Sequence, residues 1–214
     1  MAMTLFSLTS FASATAQDGG YKVSAISVGS GETPISGGIS ASVDLTTESG
    51  GFMQVMVQSE QAWFMIGKDW KFSRSRCSFY GSVGHFQSAP WVGPYAGCTL
   101  VLANLGGQEV SISALTWPGF YIGWEPKNWR TAEDGVENPE SLKAGYFSVA
   151  SLNLGRVSVS IAHLNFLDDK TNILPGVAYT QKVRSDMDVS GSFTWNSNSD
   201  SPMFFVGASW HPKK

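Results

Sequence analysis

The fold class is decided by the stretch MDVSGSFTW, which runs from Met187 to Trp195. Its odd-numbered positions are apolar or glycine, and its even-numbered positions are Asp, Ser, Ser and Thr. Successive side chains of a β-strand point to opposite faces, so the stretch predicts a strand with one apolar and one polar face. We expect the apolar face to lie against lipid.

Alternation of this kind recurs along most of the chain. Clear examples are Ile39–Leu45, Val157–Ile161 and Met203–Trp210, and short polar or Gly-rich turns separate the alternating runs. No helical period of convincing length interrupts them, which argues against βαβ units. The pattern predicts an all-β chain of about 10–12 strands in one antiparallel meander.

Composition limits the classes of protein that remain. Of the 214 residues, 14% are charged and 13% aromatic, 23 are Gly, and the formal net charge is −3. This charge balance gives no indication of a nucleic-acid partner. Few charges, many aromatics and much Gly are typical of a membrane β-barrel, whose outer surface is apolar. They are equally compatible with a secreted β-sandwich.

The residues of the polar phase favour a barrel over a sandwich. They are mostly Ser, Thr, Gly and Asn, which suit the narrow interior of a barrel better than a face that meets water. The last strand, Met203–Trp210, resembles the terminal strand of bacterial outer-membrane barrels, although His211–Lys214 follow it. The resemblance implies an antiparallel up-and-down transmembrane β-barrel in the cell outer membrane, contacting its lipid and recognised by the barrel-assembly machinery through that strand. The alternative is a secreted β-sandwich that binds a ligand or partner.

The N-terminus has features of an export signal. Thr4–Ala12 is a mildly apolar run, and Ala14-Thr15-Ala16 provides a small-x-small cleavage pattern, although no basic region precedes them. We expect residues 1–16 to be the remainder of a signal peptide and residues 17–214 to form one barrel domain.

The two cysteines are Cys77 and Cys98, and the midpoint between them falls at Gln87-Ser88. A regular hairpin that turns there would place them opposite each other on adjacent strands. Export would permit a disulfide, but two free buried thiols remain an equal alternative because sequence does not determine the Cβ geometry.

Two further features concern the ends of the strands. Residues 125–142 form the longest stretch without alternation and the most charged one, so we interpret them as the largest external loop. The eight Trp residues fall near predicted strand ends, which is typical of an interfacial aromatic belt.

His163 is the histidine with a possible chemical role. It continues the apolar phase of Val157, Val159 and Ile161, so we expect it on the lipid side near a barrel rim, with Asn165 on the same face. The stretch His163-Leu164-Asn165 resembles the lipid A deacylase barrels.

That family carries a His-x-Ser pair on the lipid-facing wall and a Glu on the next strand. The Ser attacks an acyl ester while the His takes its proton. The resemblance therefore implies a lipid A-modifying hydrolase with His163 as base, yet Asn165 occupies the nucleophile position and the following strand has no Glu.

We therefore expect a porin-like, non-enzymatic membrane protein that is either structural or a narrow pore for small solutes. The alternatives are the lipid A-modifying hydrolase and the soluble β-sandwich. No His/Cys/Asp/Glu cluster has the spacing of metal ligands, and no phosphate-binding Gly motif is present, so no cofactor is expected.

Overall fold

The chain forms a closed β-barrel of twelve antiparallel strands in a computed structural model. The structure describes residues 20–33, 36–59, 61–86, 89–126, 135–165 and 171–212. Each strand pairs with its neighbours in the sequence, and the first pairs with the last. The predicted all-β up-and-down barrel is confirmed, and the sandwich alternative is wrong because a closed sheet leaves no second sheet to pack on.

The strands have the following bounds: β1 Lys22–Thr33, β2 Ser36–Thr46, β3 Gly51–Gln58, β4 Gln61–Lys71, β5 Ser75–Phe86, β6 Ala89–Leu105, β7 Gln108–Pro126, β8 Gly135–Leu154, β9 Val157–Asn165, β10 Asn172–Arg184, β11 Met187–Asn196 and β12 Ser201–Trp210. Within the described ranges, no helix has the length and apolar character that a membrane span requires. The proposed signal peptide, residues 1–16, lies outside the described residues.

The two ends of the barrel differ in their connections. At one end, which we call the turn end, tight hairpins such as the one at Gly106-Gly107 join the strands. Both glycines have positive φ values, 58° and 80°, as a two-residue type I′ hairpin requires. The first and last strands also begin and finish at the turn end, since Ile26 pairs with Trp210. The opposite end, the loop end, carries the longest connections, after β7 and after β9.

The connection between β7 and β8 is shorter than the sequence indicates. The prediction of one external loop over residues 125–142 is wrong, because β7 continues to Pro126 and β8 begins at Gly135. Only residues 127–134 remain between them. Backbone pairing needs no alternation once neither face has to be apolar, so these two strands extend past the alternating region.

Alternation sets which face of each strand points outward. Residues directly opposite each other on antiparallel strands share a face. Asp188, Ser190 and Ser192 pair with Ser209, Gly207 and Phe205 on the interior side. The other phase faces the outside and is exposed over most of the wall, except at Val43, Leu45 and Met53, which are buried in a local cluster. Its large apolar members on the outer wall include Val28, Ile66, Phe79, Val83, Val92, Leu100, Ile112, Phe120, Leu152, Val159, Ile161, Ile173, Val177, Phe204 and Val206.

The cysteines lie on this outer face. Cys77 on β5 and Cys98 on β6 are directly opposite each other and form a disulfide, with 21 residues of sequence separation. The bond links β5 and β6, the two strands on either side of residues 87–88.

Candidate functional site

The lumen of the barrel is divided into two unlike halves, and it is the candidate functional site. Towards the loop end, large apolar side chains from many strands form one contiguous cluster. We call this cluster the apolar layer. Its members are Trp63, Met65, Tyr80, Trp91, Trp117, Ala162, Leu164, Leu174 and Met203. Trp91 has 0% and Leu174 1% of its surface exposed, so no open water path runs beside either side chain.

Three tryptophans form the centre of the apolar layer. The ring of Trp63 lies 4.6 Å from that of Trp117 and 6.2 Å from that of Trp91, measured between centroids, and both pairs have edge-on geometry. Such contacts fix ring orientations more strongly than aliphatic packing does. A Cβ on Gly119 would lie 2.4 Å from the Trp91 ring, so glycine provides the space for this indole.

A polar contact holds one of these indoles in place. Nε1 of Trp117 donates to the hydroxyl of Ser82 at 2.6 Å, and that hydroxyl donates to the carbonyl of Gly93 at 2.5 Å. Both side chains are buried, where an unmade hydrogen bond would be costly. The layer is therefore an ordered part of the barrel and has the character of a protein core.

The aromatic-belt prediction is wrong for Trp63, Trp91 and Trp117, which point inward. Trp70, Trp195 and Trp210 are exposed on the outer wall, as a belt requires. The signal that distinguishes the two groups is strand phase. Residues 111, 113, 115 and 117 share the inward face of β7, and along it two Ser residues are followed by Leu115 and Trp117, so this face turns apolar towards the loop end.

Towards the turn end the lumen becomes a polar chamber of about 280 Å³. Asp69 accepts hydrogen bonds there from the hydroxyl of Ser78 at 2.7 Å and from the phenol of Tyr80. Lys71 and Arg76 face each other on β4 and β5 close to the rim. One carboxylate, two cations and several hydroxyls therefore line a space suited to a small polar solute.

Small polar side chains form a belt around part of this chamber. Asn153 donates to the hydroxyl of Ser113 at 2.9 Å and accepts from Ser158 at 2.8 Å. The hydroxyls of Ser113 and Thr99 are also 2.9 Å apart. The predicted interior of Ser, Thr and Asn is thus present in the half of the lumen nearer the turn end, and these residues form hydrogen bonds with one another.

The outer wall holds the residues for which the sequence indicated chemistry. His163 and Asn165 both lie on the outer face of β9, opposite Ser148 and Tyr146 of β8. Nδ1 of His163 is 3.0 Å from the phenol oxygen of Tyr146. In the part of the chain that the structure describes, no carboxylate pairs with His163, and the amide of Asn165 is not a nucleophile. Among the described residues, the hydroxyl of Ser148 lies directly opposite His163, and no carboxylate is placed to orient the imidazole.

Among the described residues, no group of three or more His, Cys, Asp or Glu side chains is placed to hold a metal ion. The chemistry available in the lumen is therefore that of hydrogen bonds, a few charges and aromatic surfaces.

Sequence comparison gives no relative, since no protein-family model matches the chain and no curated protein matches it. Comparison of structures finds proteins with a similar fold. The KdgM porin has a TM-score of 0.60 at 10% identity, over 90% of this chain and 100% of that one. The NanC porin has a TM-score of 0.55 at 6% identity, over 89% of this chain and 100% of that one. The chain therefore has the fold of these porins.

Proposed function

We propose that the protein is a β-barrel of the outer membrane and a narrow pore that passes only small solutes. The outward phase supports the membrane location, because a wall of exposed Val, Ile, Leu and Phe would be unfavourable in water. The strands contain between 8 and 20 residues, and a tilted transmembrane strand needs about 9–11. Most strands are therefore long enough to cross a bilayer.

The orientation follows from the connections. Barrels of this kind have short turns on the periplasmic side and longer loops outside. The turn end would thus face the periplasm, and the apolar layer would lie towards the cell exterior. A solute arriving from outside would meet the apolar layer before it reached the polar chamber.

The apolar layer is the observation that supports a narrow pore. A wide porin has a polar, water-filled lumen. Here Trp63, Trp91 and Trp117 are less than 6% exposed, so these rings and the residues packed on them narrow the path through the lumen. A hydrophobic constriction of this type limits both hydration and solute size.

The nature of the solute is restricted by the same layer. One KdgM structure is described as a complex with disordered oligogalacturonate, which is an acidic oligosaccharide. The apolar layer offers no cation to such a chain, since Lys71 and Arg76 lie near the turn-end rim on the far side of it. We therefore propose small uncharged or weakly charged solutes.

Planar-bilayer recording of the purified protein tests the pore. We expect a small unitary conductance for the wild type and a clearly larger one for Trp91→Ala, which removes the most buried ring of the layer. The control is Trp195→Ala, on the outer wall, which should leave conductance unchanged. Absence of conductance in all three proteins, or a wide-pore conductance in the wild type, would contradict the proposal.

Two further parts of the proposal concern biogenesis. Residues 1–16 would direct export and be removed, which the N-terminal sequence of the mature protein would establish. The outward row of β12, Phe204, Val206, Ala208 and Trp210, would be recognised by the barrel-assembly machinery, because it supplies an apolar strand that ends on an aromatic residue.

A further inference from the structure

The outer wall from β6 to β9 has a depression with an unusual floor. Cys98, Ala114 and Ala150 are directly opposite one another on three successive strands. Other small outward residues, such as Ala62 and Gly81, have a larger cross-strand neighbour, Val57 and Ile66 respectively. Small side chains at three adjacent positions therefore leave a groove in an otherwise bulky wall.

Larger apolar side chains border this groove. Leu100, Ile112 and Leu152 form the next row towards the turn end, and Ile161 stands beside Ala150 on β9. Two overlapping cavities of about 580 and 650 Å³ describe the groove, and both include Cys98, Ala114, Ala150 and Ile161. The floor crosses three strands, or roughly 10 Å, and the rows that border it are about four residues, or roughly 14 Å, apart along the strands.

Polar groups close the groove at its loop end. Thr116, Ser148 and His163 are consecutive cross-strand partners in the row next to the small floor. The hydroxyls of Thr116 and Ser148 are 2.9 Å apart, and His163 is 3.0 Å from the phenol oxygen of Tyr146. All four side chains are on the face that meets lipid.

Polar side chains on a lipid-facing wall are costly unless they find partners. These four form two pairs, and each pair keeps donor or acceptor capacity for another molecule. Their position at the loop end would correspond to the outer leaflet in the orientation proposed above. A molecule that satisfies them must therefore be polar at one end and apolar along the groove.

We propose that this groove binds one acyl chain of an outer-leaflet glycolipid. The chain lies along Cys98, Ala114 and Ala150, and its ester, amide or hydroxyl group hydrogen-bonds with the polar row that contains Ser148 and His163. The inference rests on the proposed membrane location, but it is independent of whether the lumen conducts.

The shape of the groove favours a lipid chain over a second copy of the protein. A symmetric dimer needs the same patch to complement itself. A concave floor of small residues, bordered by Leu100, Ile112 and Leu152, does not fill its own counterpart. A slender chain does, and it gains van der Waals contact along the whole floor.

Native mass spectrometry of the protein, reconstituted with lipid A in mild detergent, tests the proposal. Wild type should retain one lipid A. Ala114→Leu, which fills the floor, should lower the bound fraction roughly tenfold, the effect of losing about two buried methylenes. Ala62→Leu is the matched control on the outer face of β4 and should bind like the wild type.

A second arm examines the polar row. Ser148→Ala combined with His163→Leu should weaken lipid A retention, because the polar group of the lipid then loses its hydrogen-bond partners. Equal binding of lipid A by wild type and Ala114→Leu would overturn the proposal. A dimer mass that Ala114→Leu abolishes would also overturn it. Release of deacylated lipid by the wild type, but not by His163→Leu, would overturn it as well.

Heat-modifiable gel mobility is recorded for every variant. A protein that lacks this property, and stays monomeric without detergent, would refute the membrane barrel and the groove together. A heat-modifiable barrel that retains no lipid A would refute the groove alone.

Discussion

Gly119 on β7 shows how closely the apolar layer is packed at the level of single residues. A Cβ at this position would lie 2.4 Å from the ring of Trp91 and 2.6 Å from the backbone carbonyl of Val92. The ring could shift, but the paired backbone of β6 could not do so without loss of register. The glycine is therefore required by the indole beside it.

Gly119→Ala should accordingly destabilise the barrel by about 1–3 kcal/mol, the usual cost of overpacking. Urea unfolding in lipid vesicles, followed by Trp fluorescence, would measure the change in the free energy of unfolding. Gly81→Ala is the matched control, because a Cβ there faces outward and its nearest neighbour is 4.0 Å away. Equal stabilities of the two variants would contradict the packing described here.

Single residues were predictable where strand phase alone decides their position. The phase of Val159 and Ile161 places His163 on the outer face, and the structure agrees. The sequence does not indicate Tyr146 as the hydrogen-bonding partner of His163. Tyr146 lies 17 residues earlier, and the contact depends on the register between β8 and β9, which alternation does not specify.

At the scale of strands, alternation was sufficient for β11 and insufficient for β7 and β8. The strand β11 has its small polar residues inside and Trp195 outside, as predicted from its sequence. The sequence predicts a loop at the ends of β7 and β8, because their residues do not alternate. Backbone hydrogen bonds maintain the strand pairing there, and the side-chain pattern does not indicate it.

The strand β12 closes the barrel and carries the prediction about assembly. Its Trp210 pairs with Ile26 of β1 and Met187 of β11 and is 46% exposed on the outer face. Trp210→Ala should lower the heat-modifiable fraction recovered from cell outer membranes severalfold. Spontaneous folding of the same variant in lipid vesicles should stay close to that of the wild type.

Trp195→Ala is the control for this experiment, since it removes an outward indole of β11 near the loop end. It should assemble in cells like the wild type. Equal assembly of Trp195→Ala and Trp210→Ala would show that the last strand is not specially recognised.

For the whole molecule, the sequence separated barrel from sandwich through the polar phase, because small hydroxyls fit a narrow interior. Small polar side chains do line the turn-end half, where Asn153 donates to Ser113. Towards the loop end the lumen instead holds the apolar layer with its three tryptophans, and buried amides such as Asn172 and Asn196 lie beside it. Inward and outward tryptophans both occur near strand ends, so only strand phase distinguishes the rings of the apolar layer from those on the outer wall.

We expect the exposed apolar phase of the closed twelve-strand barrel to lie in lipid. Dilution of urea-unfolded protein into buffer with or without lipid vesicles tests it most directly, with protease protection and heat-modifiable mobility as measurements. With vesicles, we expect a protected, heat-modifiable band and a β-sheet circular dichroism spectrum. Without lipid or detergent, we expect aggregation. A folded, monomeric, soluble protein in plain buffer would contradict the claim.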